Sequence, residues 1–241
     1  MARAAAYERL GKYAEALADL EVALRKSPGC INYLLQRSGV HLAAGHGAAA
    51  LQDAESVLKL LPRCREAGKS RARALLLCGR AEESFAQWQA LIAAGLPAST
   101  PPEEVIEAVT AGLRCGRAGA ERALPMVQCA LREFPADRAL GEATLTLLSR
   151  TGRWQDALAL VDASMKALPR REWWLAKRAS ILAGAGQEAA ARAECAQAKA
   201  TIAALPDHLR NTRAVHHLLL QLSGIECRAG SPPPPAPPSP K

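Results

Sequence analysis

Aromatic residues are scarce in this chain, since Phe, Trp and Tyr together account for 4% of its 241 residues. Strands prefer aromatic and β-branched residues, whereas the hydrophobic 49% of this sequence consists mainly of Ala and Leu. Both of these residues are strong helix formers. The composition therefore predicts an all-α protein.

Long apolar runs are also missing. No stretch approaches the roughly 18 uninterrupted apolar residues of a membrane helix, and the first residues lack the apolar core of a signal peptide. The seven cysteines are odd in number and form no CxxC pair, a pattern that favours free thiols in a reducing compartment over a disulfide framework. These absences predict a cytoplasmic protein that does not insert into a membrane.

Motifs of catalysis and ligand binding are absent as well. The sequence contains no HExxH, no Cys/His finger spacing, no GxSxG, no GxGxxG and no phosphate-binding P-loop. His41 takes the place of a packing residue, and the adjacent His216 and His217 diverge by about 100° on a helix, which makes a poor chelate. The sequence therefore predicts no enzyme activity, no cofactor and no metal site.

The sequence does contain a ladder of glycines, each followed by a proline about 17 residues later. A glycine at a helix end permits the positive φ of a tight turn, and a proline stops the helix that follows. A period near 34 residues indicates repeated helix pairs. The glycines are Gly11, Gly45, Gly79, Gly116, Gly152 and Gly186, and the prolines are Pro28, Pro62, Pro97, Pro135, Pro169 and Pro206.

Small residues occur at fixed distances from the glycines, as at Ala16, Ala50 and Ala157, five residues after them. Together with the turns GKYAEAL after Leu10 and GRWQDAL after Thr151, this pattern resembles the tetratricopeptide repeat (TPR) family over roughly residues 1–205. The resemblance implies about six units stacked as an α-solenoid, a right-handed superhelix of antiparallel helix pairs. It also implies a concave groove, formed by the first helix of each unit, that binds peptides.

The irregular intervals divide the chain into five parts. In the fourth unit we expect the segment from Cys115 to Gly119 to lengthen the internal turn, and Pro125 to delay or bend the second helix. After Pro206, Thr212 is expected to cap a final helix that Gly224 ends. The predicted parts are repeats 1–3 at 1–97, an irregular fourth repeat at 98–135, repeats 5–6 at 136–206, a capping helix at 207–228 and a disordered proline-rich tail at 229–241.

The groove positions implied by the resemblance lie thirteen, ten, nine, six, three and two residues before each glycine. Lys69 and Arg73 fall among them, four residues apart on one helix face, in a basic stretch whose only acid is Glu66. A partner with an acidic segment or a terminal carboxylate would suit this pair, although a solvated basic face explains it equally well. The predicted groove residues are Gln36, Lys69, Ser70, Arg73, Glu142, Thr146, Arg150, Trp173 and Lys177.

The sequence as a whole favours a protein–protein interaction scaffold or adaptor that binds a peptide or helix in this groove. Two alternatives remain open: a regulatory or substrate-recruiting arm of a larger enzyme or complex, and a basic helical-repeat protein that binds nucleic acid through its net charge of +8. The carboxylate clamp of Hsp70/Hsp90 co-chaperones is not matched, because Ala5 and Gln36 stand where that subfamily has asparagines.

Overall fold

The computed structural model describes residues 2–94, 100–167 and 171–229 and is all-α, as the composition predicted. Within these residues no strand is present, and no helix is long and apolar enough to cross a membrane. The proline-rich tail from residue 230 onward lies outside the described part of the chain, as do Pro97 and Pro169. The helices are α1 (Ala2–Arg9), α2 (Tyr13–Lys26), α3 (Ile31–Ala43), α4 (Gly47–Leu60), α5 (Arg65–Leu77), α6 (Ala81–Ala94), α7 (Pro102–Arg114), α8 (Gly116–Glu133), α9 (Arg138–Thr151), α10 (Trp154–Ala167), α11 (Arg171–Gly184), α12 (Glu188–Ala203), α13 (Asp207–Arg210) and α14 (Arg213–Ala229).

The glycine ladder marks the turns inside the helix pairs, as predicted. All six ladder glycines have a positive φ, between 72° and 77°. In the second repeat the N–H of His46, which follows Gly45, donates to the carbonyl oxygen of His41 at 2.8 Å. This bond closes a Schellman motif, which satisfies a carbonyl that the end of the helix would otherwise leave unpaired. The same bond follows Gly11, Gly79, Gly152 and Gly186.

The described residues form two compact units, divided between Leu147 and Leu148. In the first unit each helix from α1 to α8 packs against the next, and in the second unit α10, α11 and α12 pack in succession, with α14 against α11 and α12. The small residues five positions after the glycines are fully buried, including Ala16 and Ala50. Where serine replaces alanine at this crossing, its hydroxyl stays inside the pair. Ser38 Oγ donates to the Ala50 carbonyl at 3.0 Å, and Ser84 Oγ donates to the Ala72 carbonyl at 2.7 Å.

The fourth repeat differs from the expectation. Its internal turn is not lengthened, because α7 ends at Arg114 and α8 begins at Gly116. Pro125 lies inside α8 without delaying its start. The physical reason is a pair of buried glycines, Gly112 and Gly119, where α7 and α8 approach so closely that a side chain on either would meet the other helix. A direct helix-to-helix contact therefore replaces the larger residue found four positions before the other glycines.

The final helix covers part of the second unit. Thr212 caps α14, since its Oγ1 accepts a bond from the Val215 N–H at 3.4 Å, but Gly224 does not end this helix. The expectation about Gly224 was therefore wrong: α14 continues to Ala229, because an isolated glycine is tolerated inside a helix at a cost of only about 1 kcal/mol. The apolar face of α14 packs on α11 and α12. Its buried residues are Val215, Leu218, Leu222 and Ile225.

Candidate functional site

The basic residues of α5 are paired within the chain. Arg73 binds both carboxylate oxygens of Glu107 on α7, at 2.7 and 2.6 Å, and this hydrogen bonding raises the pKa of Arg73. Lys69 lies 2.6 Å from Glu66 and 3.5 Å from Glu104, which also pairs with Arg65. The sequence had shown only Glu66 nearby, because the other acids lie one repeat further along. The structure therefore gives no special support to an acidic partner at Lys69 and Arg73.

A second set of pairs recurs with the period of the repeats. Four of the six repeats carry an arginine eight residues before the glycine. Each of these arginines contacts an acceptor that lies eight residues after the same glycine. Arg37 shows the geometry best, with both oxygens of the buried Asp53 at 2.8 and 2.6 Å. We call this set the arginine ladder. Its pairs are Arg3–Asp19, Arg37–Asp53, Arg71–Gln87 and Arg178–Glu194.

The arginine ladder also joins successive repeats. In the second and fifth repeats, the residue ten positions after the glycine is an acid that faces the arginine of the next repeat. Glu55 lies 3.6 Å from Arg71, and Asp162 lies 3.6 Å from Arg178. These contacts, with those of α5, engage the cations of the arginine ladder and of α5 within the chain. The net charge of +8 already subtracts the carboxylates involved, so the pairing shows which cations are engaged and does not change the net charge.

The predicted groove residues are divided between the two compact units of the chain, which meet in sequence at Leu147 and Leu148. In the first unit, Gln36 and Ser70 are partly buried on α3 and α5. Also in the first unit, on α9, Thr146 is exposed and donates from Oγ1 to the Glu142 carbonyl at 2.8 Å. Glu142 in turn lies 3.3 Å from Arg138.

In the second unit, Arg150 is exposed at the end of α9. Lys177 Nζ lies 4.9 Å from the centre of the Trp173 ring, a cation–π contact on one face of α11. Trp173 also meets Trp174 edge-on at 4.5 Å. Trp174 is 3% exposed, so it belongs to the core, whereas Trp173 keeps part of its surface.

A cavity of 350 Å³ lies in the second unit. One wall is the Trp154 ring, which lies against Gly184. A Cβ atom on Gly184 would stand 3.0 Å from that ring, so a larger residue there would require the ring to shift by a few tenths of an ångström. The lining residues are Ser149, Trp154, Ser180, Ala183, Gly184, Glu188 and Ile225.

Four of these residues stand at predicted groove offsets. Ser149 and Ala183 lie three residues before their glycines, Ser180 lies six before and Gly184 lies two before, yet none of them was among the predicted site residues. The offsets could have found them. The closing contribution of Ile225 could not be found in this way, because α14 lies outside the repeats.

Two histidines meet at the turn of the second repeat. Nδ1 of His41 lies 3.4 Å from Nδ1 of His46, and the ring centres are 5.7 Å apart. Burial is the main cause that lowers the pKa of His41. Among the described residues there is no group of three or more His, Cys, Asp or Glu side chains that could hold a metal ion.

Comparisons with known proteins agree on the architecture. No family sequence model matches the chain, and no curated protein matches it in sequence. Solved structures do match. A TPR protein from Parabacteroides merdae has a TM-score of 0.56 at 17% identity, over 91% of this chain and 81% of that one. PilW, a type IV pilus biogenesis factor, has a TM-score of 0.58 at 20% identity, over 90% and 94%.

YrrB, a TPR protein with an unusual peptide-binding site, has a TM-score of 0.58 at 16% identity, over 82% of this chain and 96% of that chain. This chain has the TPR fold. The resemblance expected from the glycine ladder is thereby confirmed for the fold. The cavity of the second unit is lined by residues at predicted groove positions of the fifth and sixth repeats and by Ile225 of the final helix.

Proposed function

We propose that this TPR chain is a non-catalytic scaffold that holds a peptide or helix of a partner protein in its groove, anchored in the cavity of the second unit. One observation carries the proposal. The cavity is lined by groove-register residues of two successive repeats, and 350 Å³ is at the lower end of about 300–1,000 Å³ for ligand pockets. That volume suits one large anchoring side chain better than a whole small molecule.

The lining of the cavity defines what such an anchor would contact. Trp154, Ala183 and Ile225 provide apolar surface, and the hydroxyls of Ser149 and Ser180 provide hydrogen-bonding groups. Specific ligand sites combine apolar surface with a few convergent polar groups, and Glu188 adds a carboxylate to the polar part of this lining. An aromatic or long aliphatic side chain with a polar end would use both kinds of surface.

The test fills the cavity and leaves the fold intact. Ser180 is exposed on α11 and lines the cavity, so Ser180→Trp places a large ring in it. Ser223→Trp is the matched control, because Ser223 is exposed on α14 and does not line the cavity. We expect Ser180→Trp to lose the proteins captured by the unchanged chain in quantitative pull-downs, and Ser223→Trp to retain them. Equal capture by both variants would contradict the proposal.

The same pull-downs examine the two alternatives. A regulatory arm would bring down a catalytic subunit as its main partner, and that partner would still depend on Ser180. A nucleic-acid binder would instead bind mixed RNA or DNA at about 50 mM salt, with an affinity that falls steeply as salt is raised. The ion pairs of α5 and the arginine ladder favour the protein partner, because they already engage many of the cations that phosphates would need.

A further inference from the structure

The turn of the second repeat fixes two imidazoles side by side. Gly45 adopts a φ of 77°, and the His46 N–H bonds to the His41 carbonyl at 2.8 Å. In a Schellman motif, the residue after the glycine frequently contacts the residue four positions before the glycine. The pairing of His41 with His46 is therefore set by the backbone.

The same turn holds different residues elsewhere in the chain. The described turns that share this backbone bond pair Tyr7 with Lys12, Leu75 with Arg80, Leu148 with Arg153, and Leu182 with Gln187. An apolar or aromatic residue there lies beside a polar one. Only the second repeat has two metal-ligating side chains at these positions.

The separation of the two nitrogens fits a chelated ion. Two Zn–N bonds of about 2.0–2.1 Å at a tetrahedral angle hold their nitrogens about 3.3 Å apart. The Nδ1 atoms of His41 and His46 are 3.4 Å apart, with ring planes inclined by 53°. The two Nδ1 atoms face each other in hydrogen-bond geometry, so both nitrogens are directed into the space between the rings.

We propose that His41 and His46 form a two-histidine chelate for a divalent cation that prefers imidazole, Zn²⁺ in the first instance. His46 is exposed and His41 is partly buried, so solvent completes the coordination at the open side. Asp53, a neighbouring carboxylate, is engaged by Arg37 and is not a ligand. The site therefore differs from a structural zinc site, which has four protein ligands, and its ion exchanges readily.

The experiment titrates tag-free, fully reduced protein with zinc chloride and measures the heat of binding. We expect one saturable event in the unchanged chain. His41→Ala and His46→Ala should each weaken it by more than about tenfold, since even outer-shell partners of a metal-bound histidine contribute that much. His216→Ala is the matched control, because His216 is exposed on α14 and lies outside the pair.

Two results would overturn the proposal. One is zinc binding that both variants retain, which would place the ion on the thiols or on other histidines. The other is no saturable binding by the unchanged chain below about 1 mM zinc. Far-UV circular dichroism checks that each variant is folded, and if His41→Ala does not fold, the exposed His46→Ala decides the question.

Discussion

Replacement of Gly119 by alanine should destabilise the fourth repeat, although alanine is normally the better helix residue. A Cβ atom on Gly119 would overlap the carbonyl oxygen of Gly112 on α7, at a separation that real Cβ atoms essentially never show. Backbone cannot swing aside as a side chain can, so α7 and α8 must separate. Overpacking of this kind lowers the free energy of unfolding by up to about 3 kcal/mol. The higher helix propensity of alanine offsets about 1 kcal/mol of this loss.

The net expectation is therefore a loss of about 2 kcal/mol, roughly a thirtyfold change in the folding equilibrium. Gly39→Ala is the matched control. Gly39 lies inside α3 with no atom within 4 Å of its Cβ position, so this change should stabilise by about 0.5–1 kcal/mol.

Urea titration followed by circular dichroism measures the total effect of each variant. Hydrogen exchange on α7 and α8 locates it, since stability in repeat arrays varies from unit to unit. If Gly119→Ala raises the urea midpoint as Gly39→Ala does, the close approach of α7 and α8 is wrong.

Two further changes address the ion pairs and the small-residue positions. Arg37→Ala leaves the carboxylate of Asp53 buried without its partner and should cost about 3 kcal/mol. Arg3→Ala, whose side chain is 75% exposed, should lower the melting temperature much less, because solvent screens an exposed ion pair. Equal thermal shifts would contradict this reasoning. Ala157→Arg inserts a charge at a fully buried position. It should cost several kcal/mol, about the sum expected for overpacking and an unpaired buried charge. A melting curve like that of the unchanged chain would refute the repeat register.

The repeating parts of the fold could be predicted closely from the sequence. All six ladder glycines have the positive φ expected of a turn. The described ladder prolines each follow the end of a helix within three residues, at Pro28, Pro62, Pro135 and Pro206. Glycine turns and proline stops are local effects, so neighbouring residues suffice to place them. The fourth repeat could not be predicted in this way, because the closeness of Gly112 to Gly119 depends on how two helices meet.

The site was harder to predict for the same reason. Glu104 and Glu107 lie more than thirty residues after the cations they bind, so a scan of the local charge found only Glu66. The repeat period could have predicted the Arg73–Glu107 pair, since Glu107 follows Arg73 by 34 residues and therefore lies at the same position of the next repeat. The histidine pair was also overlooked, because His41 and His46 match no established metal motif and become neighbours only through the turn at Gly45.

The arginine ladder bears on how such an array can grow. Residues 31–64 carry Arg37, its own acceptor Asp53, and Glu55, which faces the next arginine. A tandem duplication of these 34 residues would create one new junction between repeats. The second copy of Arg37 would face Asp53 of its own repeat and Glu55 of the preceding one, so it would have a carboxylate on both sides. The same event in the fourth repeat would gain no such pairs, because Ala108 stands at the arginine position there. The chain can thus lengthen near its beginning without creating unpaired charges at the new junction.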